Sequence, residues 1–95
     1  MEEFKWKYNE GKILDEFIEY LKSTYKSHYC GTEEGSADIQ TIDLAISKGR
    51  APDFCQVNLV KYGDRYGQKN GKNKMDLFKA MHYAMLLLHS DKHYS

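Results

Sequence analysis

Apolar residues recur at intervals of three and four through most of this chain. More than any other feature, that period limits what the chain can fold into. It is the repeat of an α-helix with one buried stripe, whereas a half-buried strand needs a period of two. Leu14, Phe17, Ile18, Leu21 and Tyr25 form the first stripe, with Asp15, Glu16, Glu19 and Lys22 on the other side. They predict a helix over about 12–25. Ile39, Ile42 and Ile46 predict a second over about 37–48. Ser36 is placed to cap it, Asp38 suits the dipole of its first turn, and Gly49 is placed to end it. Gly31 to Gly35 reads as the loop between the two.

The single proline, Pro52, suits the first turn of a third helix over about 52–66, where a missing N–H costs little. Phe54, Cys55, Val57, Leu59, Val60 and Tyr62 spread around more than one face, the pattern of a central helix. Asn73 caps a fourth helix over about 74–90, with Asp76 three residues on as a capping-box-like partner. Leu77, Phe78, Met81, Ala84, Met85 and Leu88 are its expected core stripe. Only Phe4, Trp6 and Tyr8 alternate with charged residues, and a lone strand there has no partner. Residues 1–10 are therefore read as an extended arm that lays its aromatics on a neighbour, in this chain or another subunit. The expected fold is all-α: one compact four-helix domain over residues 1–95. A small core, eight tyrosines and the arm favour a homodimer.

Lys and Arg number 14 and Asp and Glu number 14, so the net charge is zero. That excludes a globally basic nucleic-acid coat or a globally acidic mimic, but not a local patch. The longest apolar run, Ala84 to Leu88, is far short of a membrane span, and no membrane partner is expected. The N-terminus shows no signal-peptide pattern. Cys30 and Cys55 are read as free thiols, and the expected compartment is the cytoplasm.

The chemistry-bearing residues concentrate between Asn58 and Tyr83. Asn58, Lys61 and Arg65 fall on one face of an otherwise apolar helix, a row that should border solvent, a carboxylate or an anionic ligand. From Lys61 to Lys74 the chain carries Lys61, Arg65, Lys69, Lys72 and Lys74 against Asp64 alone. Gly67 and Gly71 would let backbone N–H groups approach a phosphate beside the start of the fourth helix. A solvated hairpin turn made soluble by lysines explains the same pattern. Gly67 to Asn73 resembles a Walker A loop, but it has one residue too few between its glycines and Asn73 where Ser or Thr belongs.

Asp76, Lys79, His82 and Tyr83 are the candidates on the fourth helix. If the third and fourth helices form an antiparallel hairpin, these residues can face Asn58, Lys61 and Arg65. Asp76 and His82 are then the pair on which general acid–base chemistry would rest. An interhelical network that fixes register is the alternative. The candidate ligand-binding set is Asn58, Lys61, Tyr62, Arg65, Lys69, Gly71, Lys72, Lys79 and Tyr83. No metal site or cofactor is expected. His89 and His93 have helical spacing but no supporting acid, and His28 with Cys30 would add ligands only by accident of fold. Tyrosines interleaved with Lys61, Arg65 and Lys69 also suit stacking on single-stranded nucleic acid, but the neutral balance makes that the weaker reading. Cys55 is read as a small core residue.

Together these residues resemble a small phage-encoded domain of unknown function, the SaV-like family, which often carries the loose label nucleotide kinase. The resemblance runs over about 26–89. It rests on His28-Tyr29, Ile42-Asp43, the row Phe54, Asn58, Lys61, Tyr62 and Arg65, the pair Lys69 and Gly71, and the helix residues Asp76, Leu77, Lys79, Ala80 and Tyr83. Tyr8 to Lys12 is similar to versions in marine cyanophages. The chain departs at Val57, where that pattern has glycine. The resemblance implies an accessory or host-takeover protein acting in an infected cell, and it supplies no mechanism. The leading expectation is a non-enzymatic module that binds a nucleotide or an acidic protein surface. A nucleotide-processing enzyme and a pure protein–protein adaptor are the alternatives.

Overall fold

The computed structural model describes residues 4–25 and 36–94, with the side chains of 36–40 outside the description. The fold is all-α, and among the described residues there are four helices: α1 (Glu10–Thr24), α2 (Ser36–Ser47), α3 (Ala51–Arg65) and α4 (Lys74–Ser90). Ile39 and the capping of Ser36, like His28, Tyr29, Cys30 and the loop at 31–35, fall outside what is described.

Helix α1 begins two residues earlier than its apolar stripe predicts. Asn9 adopts a left-handed conformation (φ 65°), and the Glu10 carboxylate accepts from the Tyr8 N–H at 2.8 Å. The arm therefore turns instead of extending, and the indole of Trp6 comes to rest over Gly11. A Cβ at Gly11 would lie 2.9 Å from the Trp6 ring. Phe4 tilts against Trp6 at 4.6 Å. The neighbour that receives Trp6 is thus the chain's own first helix.

Helix α2 closes as its glycine demands. The Gly49 N–H bonds the Ile46 carbonyl and the Arg50 N–H bonds the Ala45 carbonyl, with Gly49 left-handed at φ 69°. This is a Schellman cap. Pro52 sits in the first turn of α3, and Asn73 caps α4 by accepting from the Met75 N–H at 2.9 Å. Asp76 does not complete a capping box, because its carboxylate faces α3.

Helices α3 and α4 form an antiparallel hairpin with extensive contact along its length, while α2 packs on α3 and α1 on α4 more sparingly. The hairpin's own core is Ala51 and Cys55, with Cys55 fully buried. Between α1 and α4 lies an aromatic cluster, Phe17 to Phe78 at 5.6 Å and Tyr20 to Phe78 at 5.7 Å.

This arrangement leaves apolar stripes open. Val57 and Val60 are exposed, so among the described residues α3, packed chiefly on α4 and α2, is not enclosed on every side. Of α4's expected core stripe only Phe78 is buried. Leu14 and Ile18 on α1, Tyr25 at its C-cap and Ile46 on α2 are also exposed. Three apolar sides on one helix need three neighbours, and among the described residues α3 and α4 each pack chiefly on two.

Candidate functional site

The hairpin brings the polar row of α3 against that of α4. In α3, positions 54, 58, 61, 62 and 65 share one side, and in α4 positions 76, 79 and 83 do, because each set spans little more than a quarter turn. Tyr62 is the hub. Its ring stacks nearly parallel on Tyr83, with centroids 5.9 Å apart and planes 7° apart. Lys61 and Lys79 each hold an ammonium 5.1 Å from the Tyr62 centroid, and the Arg65 guanidinium lies 5.9 Å away. Each such contact is worth about 0.5–2 kcal/mol and partly offsets repulsion among the three cations. Phe54 meets Tyr83 edge-on at 6.0 Å.

One carboxylate enters this cluster. Asp76 is 3% exposed, and its Oδ1 lies 3.5 Å from the Arg65 Nε. The pair is an ion pair without a hydrogen bond: Arg65 Nε and Asp76 Oδ2 are both buried and have no hydrogen-bond partner. Lys61 and Lys79 have no carboxylate within ion-pair distance among the described residues. Asn58 uses its amide to donate to the Phe54 carbonyl at 2.9 Å, which fixes it within its own helix.

The loop is built differently from a phosphate cradle. The Gly67 N–H donates to the Gly71 carbonyl, and the Gln68 and Lys69 N–H groups donate to the Arg65 carbonyl. Three successive donors are therefore occupied within the turn. Gly67, Asn70 and Gly71 take positive φ to close it. Lys69 and Lys72 remain exposed, and Lys74 pairs with Glu16 of α1.

His82 does not join Asp76. Six residues along a helix leave about 120° between two side chains. Asp76 faces Arg65, and the His82 ring stands edge-on to Tyr20 of α1 at 6.0 Å. Of the sequence candidates, the hairpin gathers Asn58, Lys61, Tyr62, Arg65, Asp76, Lys79 and Tyr83. Lys69, Gly71 and Lys72 lie in the turn beyond them. Phe54 was not among the candidates, although its place one turn before Asn58 puts it on the same side. Val57, the departure from the family pattern, lines a groove with Leu44, Ala45 and Phe54 between α2 and α3, away from the α3–α4 contact.

The thiol of Cys55 is held above its ordinary value of 9.0 by burial, with the Ser90 hydroxyl partly opposing that. It is a free, buried core residue. His89 lies at the end of α4, but the chain turns left-handed at Lys92 before His93, so the two do not share a helical face. Among the described residues no three His, Cys, Asp or Glu side chains gather where they could hold a metal. No described helix is long and apolar enough to cross a membrane.

Fold and site define an all-α domain organised around a helical hairpin with cations clustered on stacked tyrosines. The chain belongs to the DUF3310 family, described as a protein of unknown function, whose profile matches residues 24–85. That span takes in all of α2 and α3, most of α4 and the whole tyrosine–cation cluster. No curated protein and no solved structure matches the chain.

Proposed function

We propose that this chain is a non-enzymatic binding module that engages an anionic partner, a nucleotide or an acidic protein surface, through the cationic side of the α3–α4 hairpin. The observation that carries this reading is the imbalance around Tyr62. Three cations crowd one ring, and the single carboxylate among them within the described residues, Asp76, is buried against Arg65. Concentrated cations without matching carboxylates lower the free energy of an arriving anion. The exposed Lys69 and Lys72 extend the same charge beyond the turn.

Catalysis receives less support. Asp76 faces Arg65 and is closed to solvent, and His82 is turned toward α1. A nucleotide fits the loose label attached to the phage-encoded relatives the sequence resembles. In that setting the module acts in the cytoplasm of an infected host.

The test is calorimetric titration of the full chain with nucleoside mono- and triphosphates and with an acidic peptide, at roughly 50 and 200 mM salt. Binding by one class is expected, weakening several-fold at the higher salt. The pair of substitutions Lys61→Ala and Lys79→Ala should weaken it by about tenfold while unfolding stays cooperative. Binding that ignores both salt and these substitutions would sink the assignment, as would no binding in either class.

A further inference from the structure

On the side of the hairpin away from the cations, α4 shows an apolar face that the described residues cover only in part, with Met81 and Ala84 half-buried and Leu77, Met85 and Leu88 exposed. Leu77, Met81, Ala84 and Leu88 follow one another at intervals of four, three and four, the spacing of a helix–helix seam. Leu77 is 40% exposed, Leu88 43%, and Met85 beside them 46%. No charged side chain falls on this face between Lys74 and Asp91, because Asp76 and Lys79 turn toward Tyr62 and Arg65 and His82 toward Tyr20. The neighbouring strip of α3 continues the pattern with Gln56, Leu59 and Gly63, and a Cβ at Gly63 would meet only open space. A partly exposed helix face without a charge over four turns has the composition of an interface core.

We propose that this face is where a second copy of the chain docks, with α4 antiparallel to the partner's α4 about a twofold axis between Met81 and Ala84. The face matches itself in that register. Leu77 meets the partner's Leu88, Met81 meets the partner's Ala84, and Ala80 meets the partner's Met85. Large thus opposes small at each of the two central steps. At the ends the register sets Lys74, which already pairs with Glu16 of its own α1, opposite the partner's Asp91, so the apolar steps and not the charges carry the match. A twofold contact requires this self-complementarity, and a random apolar stripe does not supply it.

The area agrees. Four turns of two adjacent helices cover about 20 Å by 20 Å. Two such patches enclose about 800 Å² as flat surfaces, and with their corrugation they reach about 1,000 Å², the lower limit for a specific interface and the size of a weak one. The cationic cluster lies on the opposite side, so the dimer would present two of them outward.

Sedimentation equilibrium of the full chain tests this. A dimer is expected at tens of micromolar, insensitive to salt, and Ala84→Glu should yield monomers with unchanged helical circular dichroism. A size swap guards against simple misfolding. Met81→Ala and Ala84→Met should each weaken association by about tenfold, and the double variant should recover most of it, because the large–small pair is rebuilt. A monomer at roughly 200 µM, which is a Kd no tighter than millimolar, would overturn the proposal. So would a dimer that ignores Ala84→Glu, or single variants that the double does not rescue.

Discussion

At the scale of single residues, the Arg65–Asp76 pair is the most consequential contact. Its two members stand in different surroundings. The Asp76 side chain is almost wholly buried and the Arg65 side chain is 29% exposed. Removing either one leaves the other unpaired, but only Arg65 can turn to water. Arg65→Met should therefore cost about 3 kcal/mol, the penalty of an uncompensated buried charge, and Asp76→Asn only about 1. Urea denaturation of both variants measures this, and equal losses would show that burial does not set the cost. Cys55 gives a second expectation. Its thiol is raised in the folded state, so the folded chain holds that proton more tightly than the unfolded one. The resulting stability is complete below the ordinary value of 9.0 and is lost as pH climbs from there through the folded value. In a Cys30→Ser background, Cys55 should react with a thiol reagent at pH 8 only as fast as the chain opens; rapid stoichiometric labelling would contradict its burial. The Arg65 row was legible from spacing alone, since three and four residues define a face. The expected pairing of Asp76 with His82 is where that reasoning failed, although a spacing of six itself turns a side chain about 120° away. The partner of Asp76 was not legible, because choosing between a cap and a cross-helix cation depends on how deeply position 76 is buried.

At the scale of elements, the ends of the helices carry the argument. Helices α2 and α4 end in the same double hydrogen-bond pattern, with Gly49 left-handed in one and Lys92 (φ 64°) in the other. Glycine accepts that conformation freely, and lysine pays about 1 kcal/mol for its Cβ. Lys92→Gly should raise Tm by about 3–5 °C, and Gly49→Ala should lower it by a similar amount. Opposite signs from two caps of identical geometry are the check, and a neutral Lys92→Gly would count against the cap. Gly49 announced its helix end in the sequence, whereas Lys92 carried no such signal. The arm was illegible for a related reason. The turn at Asn9 is left-handed without glycine, so the alternating aromatics read as extended chain. Gly11→Ala should displace the indole it now supports. Trp6 is the only tryptophan, so its emission should shift to longer wavelength with little change in helicity.

At the scale of the whole molecule, the four helices are unequal partners. The apolar period located all four to within two residues, because it needs only a buried side. It did not say which neighbour buries that side, so the stripe of α4 read as core and emerged largely exposed. Contact is dense between α3 and α4 and sparse elsewhere. The tyrosine–cation cluster and the Arg65–Asp76 pair both lie across the dense contact. Stability should therefore be graded. Regions with few buried contacts open at a fraction of the global unfolding free energy, and regions that share a core open only with the whole. Helix α1 is held by the Phe17, Tyr20 and Phe78 rings and the Glu16–Lys74 pair, and α2 by its apolar contact with α3. In native-state hydrogen exchange, the amides of α3 and α4 should protect to the same high level and report one joint opening. Those of α2 should exchange fastest, and those of α1 should fall between. Phe78→Ala should speed exchange in α1 by far more than in α3, because it removes α1's main anchor while the hairpin keeps Ala51 and Cys55. Equal protection across all four helices would mean that α1 and α2 share the hairpin's core after all. The cationic site would then depend on every helix, and not, as the contacts indicate, on two.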